Sequence, residues 1–522
     1  MGTGPLKIFH IDMNFVNLRQ DYLRQWLEKL AKMGYNAILW ELEDKVRWET
    51  CPECVWPEAM DKGEFKALLA HSRSLGLEPI PLFQTVGHAE YVLKTGAYDA
   101  FKELPAHHDC YCTSNPDVHR FLARWVEEYL ELFGELRHFH LGGDEAYVFG
   151  KCPACAARAE RDGKNKLYAD HLLAVAQPLL AKGVRPGVWC DMVMHHPDQM
   201  ADIPKDFVLW DWNYWSHDGS TDRSHVWGQG AVDKASVTPA QLAQCPELLD
   251  ANGDFVPFHT SDFLKNRGFD VILCSASRSA GDTSFCPQWD VHNRNVAAAA
   301  RKTVRAGLLG NCVTSWAVRL NPYETQELTI ALAPFAMAHP EMPFDALLQA
   351  FGQEFFGMDA SECFEALAKI SSFFQFVAHG STAIQWQGWK DSVPAPPGYV
   401  ENLLKKWREE NHGEAWRLNK QTTRDAQDKI AAGLSQLSSF TEKAHRNLEF
   451  LDAWFAAANL QFWMSKLACM VFDDEAGAAQ AGLLKHWRRN FLNYLKTGET
   501  PQSAEKNASL VFDALIEYFQ SR

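Results

Sequence analysis

Eight short apolar runs, each followed by a stretch with helical periodicity, dominate the first two thirds of this chain. The runs are Leu6–Met13, Asn36–Glu41, Glu78–Gln84, Arg137–Gly142, Arg185–Asp191, Phe207–Trp212, Asp270–Ser275 and Gly310–Trp316. Amphipathic stretches lie between them, at Tyr22–Met33, Phe65–Leu75, Val118–Phe133, Tyr168–Leu180 and Val291–Ala306. Strand signals alternating with helix signals predict parallel strands joined by right-handed crossovers. Eight such units before Pro340 fit a closed (β/α)8 TIM barrel better than an open sheet. Beyond Phe344 the strand signals fade, and Leu403–Trp416, Asp425–Leu451, Trp454–Phe472, Ala478–Leu495 and Ala508–Phe519 read as amphipathic helices. The expected architecture is therefore α/β: a barrel over residues 1–340, then an α-helical bundle domain over 341–522. Val393-Pro394-Ala395-Pro396-Pro397-Gly398 reads as a break within the second part.

Composition narrows the partners. The formal charge of −15 disfavours nucleic acid and anionic membrane surfaces, which both select basic proteins. No run of about 18 uninterrupted apolar residues is present to span a bilayer. The N-terminus lacks the pattern of a secretory signal, so a cytoplasmic location is expected. Thirteen cysteines, an odd number, point to thiols or metal ligands in a reducing compartment. Nineteen tryptophans are more than a core requires, and some are candidates for flat apolar platforms.

In a barrel of this kind the chemistry sits at the C-terminal ends of the strands. The fourth run ends in His138-Phe139-His140-Leu141-Gly142-Gly143-Asp144-Glu145, in which two glycines allow a tight turn before two adjacent carboxylates. An Asp-Glu pair taken alone more often marks a helix N-terminus. The longer motif, His-x-Gly-Gly-Asp-Glu at the end of a fourth barrel strand, resembles glycoside hydrolase family 20, the β-N-acetylhexosaminidases, and most of all its hexosaminidase D-like branch. The resemblance extends over residues 6–335. It includes His10-Ile11-Asp12, Glu41-Leu42-Glu43-Asp44, Phe83-Gln84-Thr85-Val86-Gly87-His88, Cys112-Thr113-Ser114-Asn115-Pro116, Trp189-Cys190-Asp191-Met192, Leu209-Trp210-Asp211 and Thr314-Ser315-Trp316.

The resemblance implies exo-acting hydrolysis of terminal β-linked N-acetylglucosamine or N-acetylgalactosamine from a small glycoside or oligosaccharide. No cofactor is needed for the reaction. The substrate's own acetamide oxygen attacks the anomeric carbon, giving an oxazolinium intermediate and retained stereochemistry. Glu145 then acts as general acid and afterwards as general base, a role that partial burial and nearby Asp144 would favour. Asp144 orients the acetamide N–H. Trp189, Trp210 and Trp316 are expected to wall in the acetamide, and Asp12, Glu43, His88 and Asp191 to contact the sugar or support those that do. Arg319 and Glu327 follow the last strand as candidates for the outer hydroxyls. Two departures stand out. Asp12-Met13-Asn14-Phe15 lacks the family's first-strand arginine, and Cys274-Ser275-Ala276-Ser277-Arg278 lacks its acetamide-binding tyrosine, for which Tyr214 is the candidate substitute.

Cys51-Pro52-Glu53-Cys54 and Cys152-Pro153-Ala154-Cys155 are two C-P-x-C turns. Following strands two and four of a barrel, they can meet over the strand-three loop and supply four thiolates to one structural zinc. Cys110 or Cys112 is an alternative donor. Two rival readings stay open: a retaining glycosidase with two separated carboxylates, Glu145 and Asp191, and a catalytically silent glycan-binding protein. The helical domain is a candidate cap on the cleft or a homodimer interface.

Overall fold

In the computed structural model, residues 4–219, 221–375, 384–386, 392–394 and 397–522 are described, the side chains of Arg319, 384–386 and 392–394 excepted. Eight parallel strands close a barrel. They are β1 (Leu6–Asp12), β2 (Ala37–Glu41), β3 (Glu78–Leu82), β4 (His138–His140), β5 (Arg185–Trp189), β6 (Val208–Trp212), β7 (Val271–Arg278) and β8 (Gly310–Ser315). All eight coincide with the apolar runs, because strands covered on both faces need apolar side chains at almost every position. The barrel closes where Leu6 pairs with Gly310 and Phe9 with Val313.

The helices between strands also lie where the periodicity places them, at Gln20–Met33, Lys62–Ser74, Pro116–Phe133, Lys164–Ala181 and Trp289–Ala306. The crossover from β6 to β7 departs from the simple pattern. It carries an antiparallel hairpin, Arg223–Val226 with Gly230–Asp233, and short helices at Pro239–Gln244 and His259–Asn266.

Two compact units make up the chain. The first comprises Met1–Asn14, Leu23–Ser275 and Ala297–Thr314; the second comprises Phe15–Tyr22, Ala276–Val296 and Ser315–Arg522. The second unit thus draws on three stretches of sequence and not on one C-terminal block. Its core is helical: Glu414–Thr441 packs on Ser361–Ile370 and on Glu449–Phe472, and Ala478–Leu495 packs on Pro501–Gln520. The periodicity of Leu403–Trp416 runs through a real break, since Asn411 and His412 take positive φ values between helices Tyr399–Glu409 and Glu414–Thr441. Within the predicted Pro-rich break, Ser392–Pro394 pairs with Ile384–Trp386, and residues 395 and 396 lie outside the described residues. No helix among the described residues is long and apolar enough to cross a membrane.

Candidate active site

The backbone leaving β4 turns through Gly142 and Gly143, whose φ angles of 65° and 93° favour glycine. Tyr168 holds this turn by donating its hydroxyl to the Gly143 carbonyl at 2.9 Å. The chain then presents Asp144, which is buried, and Glu145, which keeps 19% side-chain exposure. From the loop after β3, Gly87 packs so closely on this segment that a Cβ there would lie 2.2 Å from the Asp144 carbonyl oxygen. That approach brings the neighbouring His88 ring to both acids. His88 Nε2 lies 3.2 Å from Asp144 Oδ2 and 3.4 Å from Glu145 Oε2.

Each remaining contact of the pair has a distinct effect. Tyr147 donates its hydroxyl to Glu145 Oε1 at 2.8 Å, and burial together with the Glu145 charge pushes that phenol up, keeping it a neutral donor. Asp191, just beyond β5, accepts the Glu145 backbone N–H on Oδ2 at 2.9 Å and the Trp212 indole N–H on Oδ1 at 3.3 Å. Burial first, and then the Asp144 charge, raise Asp191 to about 7. Asp144 Oδ1 is buried and has no hydrogen-bond partner among the described residues. Leaving a carboxylate oxygen in that condition costs about 1–3 kcal/mol or more, so it marks a place where a donor from outside the chain is expected.

His88, Glu145 and also Glu43 hold positive φ values of 53°, 46° and 44°. Residues with a Cβ avoid this region, so backbone strain gathers at three positions just beyond strand ends of the barrel.

The structure sorts the other expected site residues. His88 and Asp191 join the carboxylate pair. Asp12 is buried at the end of β1, where Oδ1 accepts the Asn14 N–H at 2.7 Å, and it clusters with His10 and Glu41. Glu41 bridges His10 and Gln84, each at 3.0 Å, a network across β1, β2 and β3 that the sequence reading did not single out. Glu43 is buried. Trp189 and Trp210 are fully covered inside the barrel, packed on the His140 ring with centroids at 4.4 and 4.7 Å. Trp212, one layer nearer the strand end than Trp210, reaches the carboxylate system through its indole N–H on Asp191. Tyr214 stacks on Trp212 with centroids 5.3 Å apart, and Trp227 meets the same ring edge-on at 4.5 Å. Trp215, 39% exposed, lies against Trp212 at 6.0 Å. Trp316 and Glu327 belong to the second unit, where the Trp316 N–H bonds the Arg278 carbonyl at 3.2 Å. The Arg319 side chain lies outside the described residues.

The expected four-cysteine set does not form among the described residues. Cys152 and Cys155 gather with Cys112 and Glu103, one ligand atom from each lying within 4.8 Å of the others. Cys51 and Cys54 form a separate buried pair, with the Cys54 thiol on the Cys51 carbonyl at 3.1 Å. The loop after β3 supplies the reason. It meets the first turn through Tyr98, which bonds Glu53 at 2.7 Å, and meets the second through Cys112, whose sulfur joins Cys152 and Cys155.

The adjacent acids stand at the C-terminal mouth of the (β/α)8 barrel, the face at which such barrels carry their active sites. Residues 9–227 match the family model for the catalytic domain of glycosyl hydrolase family 20. The chain is similar to Hexosaminidase D of Homo sapiens, with 31% identity over 226 residues that cover 40% of this chain and 46% of that protein. Hexosaminidase D of Bos taurus shows 30% identity over 220 residues, covering 40% of this chain and 63% of that protein. The chain thus spans about half to under two thirds of the curated relatives it matches. Among solved structures, a β-N-acetylhexosaminidase from Bacteroides fragilis aligns with a TM-score of 0.48 and 15% identity, covering 67% of this chain and 70% of that one. Dispersin B aligns with a TM-score of 0.43 and 16% identity, covering 65% of this chain and 99% of that one.

Proposed function

We propose that this protein is a β-N-acetylhexosaminidase that releases terminal β-linked GlcNAc or GalNAc by substrate-assisted, retaining hydrolysis. The observation that carries the reading is Asp144 Oδ1, a buried acceptor without a donor among the described residues, next to an acid that keeps partial exposure. A 2-acetamido N–H is a donor suited to that oxygen. Bound there, the acetamide has its oxygen directed at the anomeric carbon, and Asp144 offsets the positive charge that develops on nitrogen during attack. Glu145 gives its proton to the departing glycosidic oxygen, then takes one from the water that opens the oxazolinium ring. Tyr147 and the Asp191-bound backbone N–H fix where that carboxyl points.

The two-carboxylate alternative would need Asp191 as nucleophile. Both of its oxygens are engaged by N–H donors and the residue is 2% exposed, which favours a supporting role. Thirteen cysteines, an odd number, support a reducing compartment such as the cytoplasm. The test compares p-nitrophenyl β-N-acetylglucosaminide, β-N-acetylgalactosaminide and β-glucoside. Turnover of the N-acetyl substrates alone, lost in Glu145→Gln, is expected. Comparable turnover of the plain glucoside would replace the acetamide nucleophile with a carboxylate.

A further inference from the structure

We propose that Cys112, Cys152, Cys155 and Glu103 bind one structural zinc ion that ties the loop after β3 to the loop after β4. The argument starts from sulfur spacing. Cys112 Sγ lies 3.7 Å from Cys152 Sγ and 3.8 Å from Cys155 Sγ. A disulfide requires about 2.05 Å, so these thiols are not bonded to one another. Zinc at the centre of a tetrahedron with Zn–S bonds of about 2.3 Å sets its sulfurs about 3.8 Å apart. The observed separations agree with that edge length.

Hydrogen-bonding groups surround two of the sulfurs. Cys152 caps the N-terminus of helix Pro153–Asp162, where the partial positive charge of the helix stabilises an anion. The Cys155 N–H points at Cys152 Sγ at 3.3 Å, and the hydroxyl oxygens of Ser114 and Thr113 lie 3.1 and 3.5 Å from Cys155 Sγ. Hydroxyl hydrogens rotate to donate to a charged sulfur.

Glu103 provides the independent observation. The residue is 2% exposed, and its Oε1 accepts the N–H groups of Lys151 and Cys152 at 2.7 and 2.9 Å. Its Oε2 is buried without a hydrogen-bond partner among the described residues. A buried carboxylate oxygen set among three thiols is unfavourable unless a cation joins them. Three sulfurs and one oxygen in a small tetrahedral cluster suit zinc better than the hard, oxygen-seeking divalent ions. Four protein ligands leave no place for a reactive water, so the ion is structural.

Its position gives it a role. Glu103 and Cys112 share their loop with His88, since the Tyr111 N–H bonds the Val86 carbonyl at 3.0 Å and the Ala89 N–H bonds the Asp109 carbonyl at 3.2 Å. Cys152 and Cys155 close the segment that begins with Asp144 and Glu145. The ion therefore helps hold His88 against the carboxylate pair as a positioning element, without touching substrate.

The test measures metal content of the full-length protein by mass spectrometry, independently of hydrolysis. About one zinc per chain is expected in wild type and in Cys51→Ser/Cys54→Ser, and less than about a tenth of that in Cys152→Ser/Cys155→Ser. Cobalt-loaded wild type should show the visible absorption of tetrahedral cobalt thiolate. Should the double cysteine variant fail to fold, Glu103→Gln preserves shape and all three sulfurs, and is expected to lose zinc to a chelator about tenfold faster. Zinc-free wild type that takes up neither metal, or zinc lost from the Cys51/Cys54 variant and kept by the other, would overturn the assignment. Either result leaves the glycosidase reading untouched, because that rests on product release.

Discussion

The loops after β3 and β4 build two clusters from similar parts, and the two differ in what they leave open. In one, His88, Asp144 and Glu145 face a rim where Glu145 remains partly exposed. In the other, Glu103, Cys112, Cys152 and Cys155 converge with the glutamate and Cys155 buried and the remaining two sulfurs half-buried. Each holds one buried carboxylate oxygen without a donor among the described residues, Asp144 Oδ1 and Glu103 Oε2. Beside an exposed acid and a tyrosine hydroxyl, such an oxygen suits a substrate N–H. Beside three sulfurs, it suits a cation. The same local deficit thus acquires its meaning from its neighbours and not from the residue that carries it.

Separating the clusters experimentally gives the sharpest check. Glu145→Gln should lower kcat on N-acetyl substrates on the order of 10³-fold while zinc content and melting temperature stay as in wild type. A parallel loss of zinc would mean that the clusters are one site. Asp144→Asn should cost about 10²-fold in kcat, with a smaller change in KM, since the interaction strengthens as charge develops. Cys112→Ser acts from the other side. Zinc loss and a fall in melting temperature are expected first, and activity should recover in part below the new melting point if the ion only positions His88.

Asp191 offers a subtler measurement. Its carboxyl titrates near 7 in the fold and near its ordinary value, about 4, when unfolded. Between those values the folded chain binds the extra proton, so this group's contribution to stability falls as pH rises through the window. Asp191→Asn should flatten that part of the stability profile, measured by denaturant melts from pH 4 to 8, by a few kcal/mol at most. An unchanged slope would remove Asp191 from the account. The smallest effect belongs to Tyr147→Phe, expected to lower kcat about tenfold without moving metal content, because only one hydrogen bond to Glu145 is lost.

Much of this was legible in the chain itself. Parallel strands announce themselves as apolar runs, and His138 to Glu145 carries both the turn and the acids. The metal cluster was only half legible. The Cys152/Cys155 spacing is local and Cys112 stood among the alternative donors, but Glu103 arrives through the path of a loop, which no short-range pattern records. The tryptophans show a different limit. Trp210 and Trp212 lie two residues apart and face the same side of β6, so periodicity cannot say which layer meets the acids. In the fold Trp212 ends β6 and bonds Asp191, whereas Trp210 packs on the His140 ring. The hairpin at Arg223–Asp233 escaped notice because its strands are short and polar.

The left-handed backbone at Glu43, His88 and Glu145 has a consequence for how this protein tolerates change. Glycine and asparagine accept that conformation more readily than the native residues do, which offsets the usual penalty for placing glycine in a fold. A library selected only for soluble expression would therefore admit glycine at these three codons with unusual ease. The same library selected for sugar release should purge it from at least the latter two. Where the two selections disagree most, the chain has exchanged ease of folding for chemistry.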